Sequence, residues 1–306
     1  MNNAHLSGLN QLFNERVQQN VRMSNYTTSR VGGLVDGLLP INTLDEMRKA
    51  AHFLWESNAP FRVLGSGSNI LVSDHGFHGI MLLNHCHNIK IFSSEENPLV
   101  YAESGANLGN LSRQSALRGL TGLEWANSVP GSVGGAVYGN AGAFGSDIAT
   151  DLVTALVLTP VGEREMSALD MGYQYRSSLF KRERKPVVIL SATLRARHST
   201  REAAWKILTE MSEKRQSAQP TGPSFGSTFK NPSGDYAGRL LEAAGLKGFG
   251  IGDAAFSKLH ANFIINQGNA TAQDYYNLIR AAQAKVFEQF GIRLETEIEL
   301  IGEFDD

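Results

Sequence analysis

One cysteine, Cys86, in 306 residues rules out an intrachain disulfide. That fits a reducing compartment and sets aside the disulfide-stapled secreted domains. No apolar run approaches the length that spans a bilayer, and the opening stretch MNNAHLSGLNQLFNERVQQN is too polar for a signal peptide. A cytoplasmic protein is therefore expected, without membrane partners. An excess of charge of one sign is also missing: 28 Lys and Arg against 30 Asp and Glu give a formal net charge of -2. That excludes an extended nucleic-acid surface or a polybasic anchor. An anionic ligand would have to be held by a few local arginines and by backbone N–H groups. What the chain has in abundance is glycine, 31 residues, unevenly spread.

The length is ample for two domains. A short amphipathic helix is read over 8–19 and a loop or short strand over 25–33. Thr43 reads as the N-cap of a helix near 44–57, with Leu44, Met47, Ala51, Leu54 and Trp55 as its apolar stripe. Strands are expected at 61–64, 70–73, 79–83 and 98–104, a helix near 107–119, and strands again at 151–160 and 186–196. Beyond His198 the pattern changes. Helices are expected over 201–216 and 235–244 and a strand over 261–266. A capping box of Thr271 with Asp274 opens a helix to about 290, with Leu278, Ala282, Val286 and Phe290 buried. A last strand is placed at 294–302. Strands and helices mix without a regular βαβ repeat, so the class is α+β, divided into 1–198 and 199–306.

Two glycine-rich segments stand out. Gly65, Ser66, Gly67, Ser68 and Asn69 lie between two predicted strands. No helix follows them, as a dinucleotide-binding turn would require, because Ile70, Leu71 and Val72 are β-prone. Either a tight strand-to-strand turn or a nest of N–H groups around an anion fits. In the second segment, VPGSVGGAVYGNAGAFG over 129–145, Pro130 suits the first turn of a helix whose free N–H groups would face an anion. Close packing of two backbones explains the glycines equally well. The histidines around Cys86 lack the paired spacing of a closed zinc site, and no metal is expected.

Taken in order, NYTTSRVGG (25–33), LGSGSNILVSDHGFHGI (64–80), GLEWANSVPGSVGGAVYGNAGAFG (122–145), YRSSLFK (175–181), GSTFKNP (226–232), AGLKGFGIGDAAFSKLHANFIIN (244–266) and LETEIELIG (294–302) resemble the UDP-N-acetylenolpyruvoylglucosamine reductase (MurB) family, in its shorter subtype. The resemblance implies a two-part FAD-binding domain of the vanillyl-alcohol-oxidase (PCMH-like) type, followed by a C-terminal α+β substrate domain. It implies non-covalent FAD, NADPH as hydride donor, UDP-N-acetylglucosamine enolpyruvate as substrate, and a monomer serving peptidoglycan precursor synthesis. The FAD pyrophosphate would be held by Gly65, Ser66, Gly67, Ser68 and Asn69, with Pro130, Gly131, Ser132, Gly134, Gly135, Asn140 and Gly142.

The implied reaction turns an enolpyruvyl ether into a lactyl ether. It requires charge stabilisation beside the carboxylate and a proton donor at C2. On the family pattern Arg176 pairs with the substrate carboxylate, Ser227 gives the proton, and Glu297 shares stabilisation of the enol. From the residues alone these would read as a surface arginine, a turn serine and one of three alternating carboxylates on a solvated strand face, Glu295, Glu297 and Glu299. Tyr175, Arg215, Lys230 and Asn231 are candidates for the substrate's UDP and sugar groups. His260 and Asn262 lie in the family's HANF segment, where Leu259 replaces a common lysine. Two competing readings are another flavin oxidoreductase on the same fold and a non-catalytic nucleotide-sugar or flavin-binding module.

Overall fold

The computed structural model describes residues 3–94 and 96–305. Its N-terminal part is built on two sheets. In the first, strands follow the order Gln18–Arg22, Leu34–Ile41, Phe77–Asn84, Phe61–Leu64. The first pair is antiparallel and the other two are parallel. The crossover between Leu34–Ile41 and Phe61–Leu64 is the helix Leu44–Glu56, whose Thr43 side chain accepts the Glu46 N–H as expected. Met47, Ala50, Ala51 and Leu54 seat it on a core with Leu39, Ile41, Ile80 and Leu82.

The second sheet is wholly antiparallel, in the order Gly162–Met166, Leu152–Thr159, Val188–Arg195, Leu99–Glu103, Ile89–Phe92. Helices Leu108–Leu117 and Val133–Gly139 cover it, along with the 3-10 turn Glu124–Ser128 that buries Trp125. The helix Arg201–Ala218 lies against Leu108–Leu117 through Ala204, Leu208 and Ala116, and Asn127 Nδ2 donates to Ser212 Oγ at 2.7 Å.

The C-terminal part packs helices Ala237–Ala243 and Ala272–Phe290 on a three-stranded sheet of Gly250–Ile251, Ala254–Phe256 and Ile264–Asn266. Several links tie it to the first part, of which three lie beside the first glycine segment and its neighbours. Strand Glu299–Ile301 pairs in parallel with Ile70–Val72. Val31 and Leu71 are buried in its core. The Asp74 carboxylate accepts the N–H groups of Ala272 and Gln273 at the start of the long helix.

The α+β class holds, but several boundaries move. The first helix runs over Asn3–Leu12 and not to 19. Asn14 and Glu15 take positive φ, and Asn10 satisfies the N–H groups of Glu15 and Val17, which stops the helix. The strands Ile89–Phe92 and Gly162–Met166 were not foreseen, because their half-exposed, charged alternation lacks a clear apolar run. The long helix has its capping box but exposes Phe290, burying Tyr275 and Ile279 in its stead. Only Glu299–Ile301 of the expected last strand is regular.

Candidate active site

Strands Phe61–Leu64 and Ile70–Val72, on either side of the first glycine segment, join different sheets. A hairpin turn is thereby excluded. The segment instead rests on residues 26–28, with the Thr28 N–H donating to the Gly67 carbonyl at 3.0 Å. Gly67 has φ +62, and a Cβ there would stand 2.0 Å from the Tyr26 carbonyl oxygen, so only glycine fits. Among the described residues, none of the N–H groups from Gly65 to Asn69 donates to a protein acceptor. Consecutive unpaired amides are the physical form of an anion nest.

The two glycine segments touch. Ser68 Oγ donates to the Pro130 carbonyl at 3.1 Å, and a Cβ on Gly65 would meet Ser132 Oγ at 2.3 Å. The N–H groups of Gly131 and Ser132 have no acceptor among the described residues and extend the nest.

The expected helix-terminus anion site is corrected. Pro130 lies before the N-cap Ser132, outside the first turn. The amides of Val133 and Gly134 donate to the carbonyls of Ala106 and Ser104, and that of Gly135 to Ser132 Oγ. Gly134 and Gly135 therefore offer no free N–H, and a Cβ on Gly134 would crowd Ser104 at 2.8 Å. Asn140, assigned to the cofactor, is 2% exposed. Its amide donates to Asp147 Oδ2 and the Gln174 carbonyl and accepts the Ala149 N–H. It holds the turn that carries Arg176. The Gly142 carbonyl accepts Arg176 Nη2 at 2.6 Å, so this glycine also anchors the arginine.

Arg176 sits in a turn closed by reciprocal bonds between Gln174 and Ser177, with φ +53, unusual for a side-chain-bearing residue. Its Nε donates to Glu297 Oε1 at 2.9 Å across 121 residues. Of the five N–H donors of a guanidinium, the two bonds named leave about three for an incoming carboxylate. Burial pushes the Glu297 carboxyl up from its ordinary value, against the pull of Arg176 and, more weakly, of Lys181 and Lys230. The expected common acidic face is absent: the Glu297 side chain is 20% exposed and that of Glu295 76%.

Ser227 is half-buried, and its hydroxyl has no partner among the described residues. The segment it opens is joined to Glu297, whose N–H donates to the Thr228 carbonyl at 2.9 Å. Asn69 of the first glycine loop completes the assembly, donating through Nδ2 to the Glu297 carbonyl at 3.2 Å and accepting the Glu299 N–H. Four remote stretches of sequence thus meet around Glu297.

The remaining candidates divide. Tyr175 is half exposed, with the Arg176 guanidinium 5.0 Å above its ring. Lys230 Nζ pairs with Glu295 at 3.1 Å. Asn231 Oδ1 accepts the N–H of Ala237, the first residue of the helix Ala237–Ala243, and its Nδ2 has no acceptor among the described residues. Arg215 makes no ion pair among the described residues, and burial holds it below its ordinary pKa. It lines a cavity of about 420 Å³ with Thr28, Pro130, Gly226 and Phe263. Sequence reasoning missed Thr28, which ties the two parts through the Ser224 carbonyl, and the anchoring carbonyl of Gly142. A main-chain acceptor leaves no signature in residue type.

Glycine loops that join in one amide nest suit the diphosphate of a nucleotide cofactor. Residues 21–165 match the FAD binding domain model, so the class is the FAD-dependent oxidoreductases. Residues 216–301 match the model of the UDP-N-acetylenolpyruvoylglucosamine reductase C-terminal domain. The UDP-N-acetylenolpyruvoylglucosamine reductase of Chloroflexus aurantiacus is 40% identical over 91% of this chain and 95% of its own length. The protein of the same name from Syntrophomonas wolfei is 37% identical, over 94% and 96%. The crystal structure of UDP-N-acetylenolpyruvylglucosamine reductase (MurB) from Thermus caldophilus has 32% identity and a TM-score of 0.79, covering 94% of this chain and 99% of that one. This chain belongs to the UDP-N-acetylenolpyruvoylglucosamine reductase family. FAD fits the residues present: unpaired amides at 65–69, 131 and 132 suit a diphosphate.

Proposed function

We propose that this chain reduces UDP-N-acetylglucosamine enolpyruvate to UDP-N-acetylmuramate with NADPH, in the cytoplasm, as a monomer supplying peptidoglycan precursor synthesis. The observation that carries the reading is the Arg176–Glu297 pair, which the first glycine loop contacts through Asn69. The flavin, when bound, supplies the hydride chemistry between the nicotinamide and the enol ether.

The chain's own residues handle charge and proton. Gly65, Ser66, Gly67, Ser68 and Asn69, with Gly131 and Ser132, would hold the diphosphate by their main-chain amides. Arg176, fixed by the Gly142 carbonyl and Glu297, presents its remaining N–H groups to the substrate carboxylate and to the charge that spreads into it. Ser227 holds the proton delivered to C2. Glu297, whose pKa burial raises, holds the Arg176 guanidinium and shares with it the stabilisation of the developing enol. Arg215, Tyr175, Lys230 and Asn231 are assigned to the UDP and sugar groups. The division at residue 198 is part of the proposal, with the helix Arg201–Ala218 packed on the first part and leading into the second.

Mixing the FAD-loaded protein with NADPH and UDP-N-acetylglucosamine enolpyruvate tests this. Loss of absorbance at the nicotinamide band should require the sugar nucleotide. NADPH consumption that is equal with and without it would overturn the proposal.

A further inference from the structure

The segment that carries Ser227 has almost no regular sheet to hold it. Residues 227–230 form only isolated bridges, Ser227 with Phe263 on one side and Phe229 with Thr296 on the other. On the first side a side chain stands in for the missing strand. Asn262 is 4% exposed. Its Oδ1 accepts the Phe229 N–H at 2.9 Å, and its Nδ2 donates to the Phe229 carbonyl at 2.8 Å. Its own backbone carbonyl accepts the Thr228 N–H at 2.8 Å. A side-chain amide has the donor and acceptor of a peptide group, so Asn262 pairs with Phe229 as a neighbouring strand would. The opposite edge of the segment carries Glu297 and Glu295, through the Thr228 carbonyl and the Lys230 N–H, each at 2.9 Å.

We infer that Asn262 is a positioning residue that sets Ser227 relative to Glu297. This rests on the roles proposed above for Ser227 and Glu297. Aspartate keeps the acceptor for the Phe229 N–H but sets an oxygen against the Phe229 carbonyl, and alanine leaves both main-chain groups unpaired in a buried place. Displacing a reacting group by about 1 Å costs roughly 100-fold in rate. Neither the nest amides nor Arg176 contacts Asn262 in the hydrogen-bond network, so cofactor loading should be spared.

The test uses the FAD-loaded proteins Asn262→Ala and Asn262→Asp. Each should bind FAD and be reduced by NADPH at a rate within about threefold of the parent. Reoxidation by UDP-N-acetylglucosamine enolpyruvate should fall about 100-fold, with a larger solvent isotope effect because proton delivery becomes limiting. In a Ser227→Ala background the same substitutions should cost less than about threefold, since residues acting as a unit are not additive. Reoxidation within threefold of the parent in Asn262→Asp, or full losses that multiply with Ser227→Ala, would overturn the inference. If Asn262→Ala does not fold, Asn262→Asp alone decides through the same two comparisons. Failure of the parent itself to turn over would count against the proposed function and not against this clamp.

Discussion

Gly67→Ala probes the diphosphate nest at the point where the backbone leaves least room. At φ +62 an alanine is strained by about 1–2 kcal/mol. Its Cβ would stand 2.0 Å from the Tyr26 carbonyl oxygen and 3.0 Å from Thr27 Cα, both main-chain atoms that cannot swing aside. Carbon and carbonyl oxygen rest about 3.3 Å apart, so the loop must lift by roughly 1 Å from residues 26–28. An amide moved that far from a phosphate oxygen loses a charge-assisted bond worth about 1.5–3 kcal/mol. Losing two such bonds lowers FAD affinity by about 100-fold or more. Titration of the apoprotein with FAD, followed by flavin fluorescence, measures this. Ser66→Ala is the companion, because it removes a hydroxyl but keeps the N–H, and its affinity should match the parent within about threefold. A Gly67→Ala protein that binds FAD as the parent does would refute the amide nest, and so would a Ser66→Ala protein that loses affinity.

Ser227→Ala should accept reducing equivalents from NADPH at the parental rate yet turn over at least about 100-fold more slowly, and parental rates in both half-reactions would remove Ser227 from proton delivery. For Glu297 the sign follows from burial. Its folded pKa lies above the ordinary 4.5, so its contribution to stability is full below 4.5 and is lost as pH rises through the folded value. Glu297→Gln should therefore flatten the decline in urea midpoint above pH 4.5, while losing most activity, and superimposable midpoint curves would contradict the account. Asn140→Ala should lose about 2–4 kcal/mol of stability, from several buried hydrogen bonds, with FAD affinity unchanged. A loss of affinity with intact stability would return Asn140 to the cofactor site.

Periodicity made the regular elements legible. Thr43 and the Thr271–Asp274 box mark helix starts because a cap is a local device, written within four residues. The site depends on contacts between distant segments, and only its residue types show in the sequence. The first glycine segment was readable as an anion nest or a turn, and the sheet topology decided against the turn. For the second segment, backbone packing explains Gly134 and Gly142, and the amides of Gly131 and Ser132 have no acceptor among the described residues. Family resemblance, and not alternation, singled out Glu297, since Glu295 and Glu299 share its spacing. What distinguishes it is a partner 121 residues away. Asn140 and Asn262 look alike as polar residues near glycine-rich or loop segments, and only their buried hydrogen bonds reveal them as supports.

The most direct measurement is anaerobic. The FAD-loaded protein is bleached with one equivalent of NADPH, and UDP-N-acetylglucosamine enolpyruvate is then added while flavin absorbance is recorded. The account predicts that the oxidised spectrum returns in the parent and returns far more slowly in Arg176→Ala, Ser227→Ala and Glu297→Gln. A spectrum that stays bleached in the parent, or one that recovers equally in all four proteins, would contradict it.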